Sequence, residues 1–312
     1  MSKLLVIFGA TGQQGGSVLD YVLNDAELSS KYVIRAITRD VNSDSAKKIS
    51  SKGVEVVSAD PNDDSTLRPA LRGANTVFAM TFPSFADVSN TENIEVRQGK
   101  AITDAAVAER VDYLIFSTLP HVSKLSGGKY TKVQGFDGKA IVEQYIRQQQ
   151  IKSAFFAPGS FMQNFNGIMK PRPVGDGTYS ISRHCRSDTP LPLIDTAGDT
   201  GKWIGSILAD PEKYEGKTFC AATKLYTLGE QAAILSKATG RTVVYKQLPP
   251  DVYRSMLPPV YGDILMEMMA YQEDFGYYGA DQAEKIAWAA ENARGKLTTF
   301  EEYLEKNPVH LD

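Results

Sequence analysis

A run of apolar residues, Leu4-Leu5-Val6-Ile7-Phe8, stops at Gly9-Ala10-Thr11-Gly12-Gln13-Gln14-Gly15-Gly16, and Val18, Leu19, Val22 and Leu23 follow at helical spacing. A strand with no polar alternation is buried on both faces, as in a parallel sheet covered by helices. Glycines between such a strand and a helix allow a tight turn, let the backbone approach a pyrophosphate, and let the helix pack on the strand with no Cβ between them. The helix start then presents unbonded N–H groups and a positive dipole end to the phosphates. In this strand, turn and helix order, the glycine pattern predicts a dinucleotide-binding turn at Gly9, Thr11, Gly12, Gln13, Gln14 and Gly15.

The alternation continues for half the chain. Strands are expected at 33–37, 54–57, 76–80, 113–117 and 153–157, separated by helices at 43–51, 64–71, 91–109 and 136–149. Parallel neighbours need crossover connections and helices on both faces, so the fold class is α/β, a doubly wound parallel sheet. Beyond Pro158 the rhythm breaks at Pro171, Pro173, Gly175, Gly177, Pro190 and Pro192. Thr227 with Glu230 and Thr299 with Glu302 form capping boxes that open helices, and 260–275 reads as helical. The methionines at 256, 266, 268 and 269 are core packing or a pocket wall. The expected division is 1–157 as the nucleotide-binding domain, with part of 188–223 returning to it, and 158–187 with 224–312 as a smaller α+β lobe lining the cleft.

Composition narrows the function classes. The 34 Lys and Arg against 37 Asp and Glu give a net charge of -3, which lacks the footprint of a direct nucleic-acid binder. The longest uncharged stretches, 4–19 and 153–169, carry Gly, Gln, Asn, Ser or Pro, so no membrane span is expected. Two cysteines, Cys185 and Cys220, are too few for a disulfide framework, and a cytoplasmic location, with the nucleus open, is the expectation. The three histidines, His121, His184 and His310, have no partner at metal-ligand spacing, so no metal site is expected.

The Gly-x-x-Gly-x-x-Gly spacing resembles the short-chain dehydrogenase superfamily, especially its extended and atypical branches. At the end of the second strand stand Thr38-Arg39-Asp40. A carboxylate there bonds a ribose 2′-hydroxyl and favours NAD, whereas a guanidinium pairs with a 2′-phosphate, so Arg39 favours NADP and leaves NAD open. Ser117 and Thr118 end the fifth strand, at the carboxyl edge where ligands bind in such sheets. Lys139 opens the next helix, and in short-chain dehydrogenases a Tyr one turn earlier donates the proton while the Lys holds the ribose. Here that position is Gly135. Lys139, Ser117, Tyr130 and His121 are the remaining catalytic candidates.

The chain resembles the NmrA-like family of atypical short-chain dehydrogenases along nearly its whole length. The likeness rests on the stretches 6–18, 38–39, 53–57, 95–100, 136–139 and 158–165, the last reading Pro-Gly-Ser-Phe-Met-Gln-Asn-Phe, and on 298–304. It implies an NADP-preferring Rossmann sheet whose glycine loop, Arg39, Arg97 and Lys139 touch the cofactor, with Phe161 and Asn164 lining the cleft. Members include dinucleotide-responsive regulators that bind other proteins and genuine reductases, some of them using quinones. The residue before Phe136 is often His in that family and is Gly135 here.

An intact cofactor half without the standard acid places one reading first: an NADP(H)-binding redox sensor acting through regulatory or transcription-related protein partners, as a monomer or homodimer. The alternative is an NADPH-dependent carbonyl or quinone reductase. A cofactor-independent scaffold fits poorly with so complete a phosphate loop.

Overall fold

A computed structural model describes residues 2–82 and 90–311. Its first half runs β1 (Lys3–Ile7), α1 (Gln13–Asn24), α2 (Ala26–Lys31), β2 (Tyr32–Thr38), α3 (Asp44–Ser50), β3 (Glu55–Ser58), α4 (Asp64–Leu71), β4 (Thr76–Ala79), α5 (Thr91–Ala108), β5 (Tyr113–Ser117), α6 (Val122–Leu125), α7 (Gln134–Arg147) and β6 (Lys152–Pro158). There follow β7 (Ser160–Phe161), β8 (Arg172–Gly175), β9 (Thr178–Arg183), β10 (Pro190–Ile194), α8 (Thr196–Ala209), β11 (Thr218–Ala221), β12 (Lys224–Thr227) and α9 (Leu228–Thr239). The chain ends with β13 (Val243–Gln247), α10 (Pro250–Ser255), α11 (Gly262–Phe275), α12 (Gln282–Glu291) and α13 (Phe300–Lys306).

Seven strands form one sheet in the order β11-β6-β5-β4-β1-β2-β3, every pair parallel. This is the doubly wound Rossmann-type sheet that the alternation predicts, with a smaller C-terminal lobe beside it. The period of two sorts its side chains onto two faces: Leu5, Ile7 and Phe78 pack toward α1 and α8, while Val6, Phe8, Val77 and Leu114 pack toward α4, α5 and α7. Strand order reverses between β1 and β4, and the carboxyl edge at such a reversal is where ligands bind.

The sequence pattern predicts six strands. The seventh, β11, is reached through α8, which packs along α1. Gly201 and Gly205, one turn apart on α8, make that packing possible: a Cβ on Gly201 would stand 2.4 Å from the Cβ of Tyr21 and 2.5 Å from the Ser17 carbonyl oxygen, and one on Gly205 2.4 Å from the Tyr21 ring. Between the helices the Gly201 N–H donates to Ser17 Oγ at 3.0 Å. Trp203, wholly buried, donates from its indole to the Ala289 carbonyl at 2.8 Å, so α12 closes over the same face.

The lobe contains two small sheets, β12-β10-β7 and β13-β9-β8, which residue periodicity does not reveal because their strands are only 2–6 residues long. Both capping boxes form, Thr227 with Glu230 opening α9 and Thr299 with Glu302 opening α13. Four hydrogen bonds, among others, fasten this region to β6 and α8. The Tyr277 and Tyr278 hydroxyls donate to the carbonyls of Pro158 and Ala157 at the end of β6, and Asp199 of α8, fully buried, accepts from the N–H and hydroxyl of Thr298.

The α1–α8 contact yields a direct test. Gly201→Ala forces a methyl group against the Tyr21 Cβ and the Ser17 carbonyl oxygen, neither of which a rotamer change can move, and overpacking of this kind costs about 1–3 kcal/mol or more. Urea denaturation should show a lower midpoint with an unchanged slope; a midpoint equal to the parent would mean that the two helices separate freely.

Candidate functional site

The site begins where β1 ends. Gly9 has φ +64°, the left-handed region, and a Cβ there would stand 2.9 Å from Met80 Sδ. Gly15 carries the severest steric demand: its Cβ would lie 2.4 Å from the Gly9 carbonyl oxygen and 2.7 Å from that of Phe8. Only glycine lets α1 sit this close on the strand. Gly12 is the N-cap of α1, and no side chain caps it, whereas Asp25, Ser43, Asp63 and Asp195 cap α2, α3, α4 and α8. The first-turn N–H groups of α1 are therefore left for an anion.

These groups open into a cavity of about 400 Å³ lined by Gly9, Thr11, Gly12, Gln13 and Gln14 on one side and Thr38, Arg39 and Asp40 on another, with Met80, Phe82 and Phe161 among the remaining residues. The Asp40 carboxylate accepts from the Asn42 N–H at 2.8 Å. Arg39 is exposed, and its guanidinium has no bonding partner among the described residues. The residues present fit a dinucleotide: a backbone cradle at the glycines, an uncapped helix start for the pyrophosphate, and an unengaged guanidinium at the end of β2.

Gln14 and Phe161 also line a second, larger cleft of about 740 Å³ between the sheet edge and the lobe. Its inner end holds Ser117, Thr118, Lys139 and Asn164. Ser117, buried, donates to Gln14 Oε1 at 2.8 Å and so ties β5 to the glycine turn. Its outer walls include Met256, Leu257, Met268 and Met269, so three of the four clustered methionines are pocket wall.

Lys139 reaches back from the cleft to a wholly buried carboxylate, Glu95 of α5, and to Thr81 Oγ1 at 3.2 Å; Thr81 also donates to Glu95. Burial pushes the Lys139 ammonium down to about 7, and the touching Glu95 carboxylate is what favours its charged form. Motif spacing singles out neither Glu95 nor Thr81. The sequence signal for the acid is Glu95, Gly99 and Ile102 at helical spacing, which puts it on the inward face; a Cβ on Gly99 would lie 2.4 Å from Val142 of α7, so the helices that carry Glu95 and Lys139 are in close contact.

Three candidates lie elsewhere. Arg97 is exposed on α5 and donates to Asn62 Oδ1 at 3.0 Å, lining neither cavity. Tyr130 donates to Asp274 Oδ2 at 2.6 Å and packs against Phe275, which makes it part of the α11 contact rather than of the cleft. His121 turns its Nδ1 toward Asp137 at 3.1 Å, again away from the lining. Gly15 lies beneath the cavity, not in its wall. Gly135 falls in the first turn of α7, one turn before Lys139, so no side chain projects from the position of the usual proton donor. Among the described residues no His, Cys, Asp and Glu side chains group to hold a metal ion, and no helix is long and apolar enough to cross a membrane. Cys185 and Cys220 are free and buried, and burial pushes both thiols up to about 12.

Comparison with known proteins places these features in a family. The model of the NmrA-like family matches residues 1–304, and the chain belongs to that family. The NmrA-like family domain-containing oxidoreductase cpsB of Aspergillus campestris is 31% identical over 276 residues, covering 82% of this chain and 79% of that one. Among solved structures, NmrA, a negative transcriptional regulator, in complex with NADP superimposes with a TM-score of 0.80 at 22% identity, over 100% of this chain and 98% of that one. Triphenylmethane reductase of Citrobacter sp., complexed with NADP(H), gives a TM-score of 0.76 at 20% identity, over 98% and 99% of the two chains. At these identities the two structures establish the shared fold.

The Lys139–Glu95 pair is testable without any ligand. Lys139→Met leaves the Glu95 carboxylate buried and unpaired, and breaking such a pair from one side costs about 3–5 kcal/mol. Adding Glu95→Gln should recover most of that loss in denaturation experiments. Equal midpoints for the single and double variants would show that the two groups do not depend on each other.

Proposed function

We propose that this member of the NmrA-like family is an NADP(H)-dependent oxidoreductase acting on a bulky, largely apolar acceptor. The observation that carries the reading is the second cavity: it adjoins the first at Gln14 and Phe161, which line both, and it is an open space of about 740 Å³ rather than a surface filled by the lobe. A protein that only senses the cofactor would use the inner end at Lys139 and Asn164 but not the methionine-walled remainder of that space. Resemblance to relatives named as oxidoreductases points the same way.

When bound, NADPH would supply a hydride; the chain would supply position and a proton. The glycine turn and the start of α1 would hold the pyrophosphate, Arg39 the 2′-phosphate, and Ser117 fixes Gln14 at the junction of the two cavities. Phe161 and the methionine wall would give the acceptor an apolar surface to lie against. With Gly135 in place of a tyrosine, Lys139 is the cationic group that lines the inner cleft, and its ammonium would give the proton to an acceptor oxygen that gains electrons. Glu95 is the positioning residue that keeps the ammonium charged.

The absence of a side chain at 135 and the diversion of Tyr130 and His121 favour a second reading, the dinucleotide-responsive regulator acting through partner proteins, which the likeness to NmrA supports. A switch of that kind requires NADP and NADPH to bind two conformations with different affinity. Calorimetric titration of both forms separates the readings: a large difference in affinity without turnover supports the regulator.

Two outcomes are expected. Arg39→Ala should lower the preference for NADP over NAD by about ten- to a hundredfold, the worth of a charged hydrogen-bonded pair at about 1.5–3 kcal/mol. Unaltered NADP affinity would remove the 2′-phosphate assignment. With NADPH and a panel of quinones and hydrophobic carbonyl compounds, kcat/KM should fall as the pH rises through about 7, where Lys139 loses its proton, and Lys139→Ala should abolish that limb of the profile. A profile unchanged in the variant would assign the proton to another donor.

A further inference from the structure

The chain as a whole carries slightly more acid than base, 37 residues against 34, but the large cleft reverses the balance. Its lining includes Lys139, Lys170, Arg172, Arg183 and Lys246, with no Asp or Glu among the described residues. Lys139 is matched from behind by Glu95. The others belong to the lobe, and three of them lie on one small sheet: Arg172 on β8 pairs with Ser180 of β9, and on β13 Lys246 pairs with Ser182 and Gln247 with Arg183.

None of Arg172, Arg183 and Lys246 forms an ion pair with a described carboxylate. Arg183 is half-buried, and its Nη1 donates to the Ser182 carbonyl at 2.8 Å. Tyr253 of α10 joins them in the wall: burial raises its hydroxyl's pKa, while the charges of Arg183 and Arg172 and a hydrogen bond with Arg183 act in the opposite sense. The Ser180 and Ser182 hydroxyls lie 3.0 Å apart on the same strand and supply further polar atoms. Around this group the wall is apolar and open, with Ile168 83%, Val174 50%, Val252 43% and Met256 50% exposed.

Like charges gathered at one end of a cleft repel one another, and an anion of the ligand relieves that cost. A guanidinium fork matches a two- or three-oxygen acid group better than any neutral acceptor does. Exposed apolar side chains around it match an apolar body.

We propose that the lobe end of the cleft is an anion-anchoring subsite, so that the acceptor is an apolar molecule carrying a carboxylate or sulfonate group, held by Arg172 and Arg183 while its body lies along the methionine wall toward Gln14 and Lys139. The subsite rests on the reductase reading only in calling its occupant the substrate.

The test uses equilibrium fluorescence on the full chain, with NADP saturating so that the glycine-turn cavity is occupied. The probes are 8-anilinonaphthalene-1-sulfonate and its uncharged counterpart N-phenyl-1-naphthylamine. The anionic probe should bind at least about tenfold more tightly, and that preference should weaken with salt. Arg172→Gln and Arg183→Gln should each remove most of the preference while leaving the neutral probe unchanged, and Lys237→Gln on the exposed side of α9 should change neither. Arg172 is exposed, so its variant keeps the test valid if the Arg183 variant fails to fold. Equal affinity for the two probes, or parallel loss of both in Arg172→Gln, overturns the proposal. Turnover is not part of this readout: a chain that prefers the anion but oxidises no NADPH keeps the subsite and loses the reductase, and one that reduces neutral quinones without the preference does the reverse.

Discussion

Everything above the sheet is placed by the contact of Gly15 with the Gly9 carbonyl. Because a methyl group there would lie 2.4 Å from that oxygen, α1 is seated on β1 at backbone distance, and its uncapped first turn points into the cavity. The second contact depends on the first. Seated so, α1 offers Ser17 and Tyr21 to Gly201 and Gly205, and α8 packs down on it just as closely. From α8 the order passes outward through Trp203 to α12 and through Asp199 to Thr298, just ahead of α13. Three helices of the C-terminal half, α8, α12 and α13, thus take positions that trace back to the absence of one side chain.

How much of the fold is legible in the residues follows the range of the physics behind each element. The parallel sheet is legible because burial on both faces writes continuous apolar runs, and the capping boxes because they need only residues three apart. The helix α2 escapes periodicity: it is six residues long and is defined by Asp25, which accepts from the N–H groups of Glu27 and Leu28. The small sheets β13-β9-β8 and β12-β10-β7 escape it for another reason, since their partners are far apart along the chain and the strands too short to show alternation.

The candidate site divides in the same way. Gly9, Gly12, Gln14 and Arg39 follow a local motif and meet in one cavity. Glu95, the group that sets the charge of Lys139, lies 44 residues away from it and is found only when α5 packs on α7. Arg97 and Tyr130 show the converse limit. Residue type and approximate location point both toward the cleft, but Asn62 and Asp274 engage them elsewhere.

The buried pair also bears on why a lysine stands at position 139 with no tyrosine before it. Where a phenol is present, the neighbouring ammonium lowers its pKa, and here that partner is missing. Stability does not account for keeping the lysine, because a buried ion pair replaced on both sides by apolar residues is often neutral or stabilising. On the function proposed above, an ammonium at the wall of the inner cleft, backed by a carboxylate with no exposure of its own, would serve the contents of the cleft rather than the fold. It would hold a dinucleotide hydroxyl or protonate an acceptor, and both uses require Glu95 behind it. The lobe end works by the opposite arrangement: Arg172 and Arg183 have no ion-paired carboxylate among the described residues and are left to an anion that the ligand brings. One cleft thus contains a cation whose counter-charge is built in and cations whose counter-charge must arrive, and that difference orients whatever enters it.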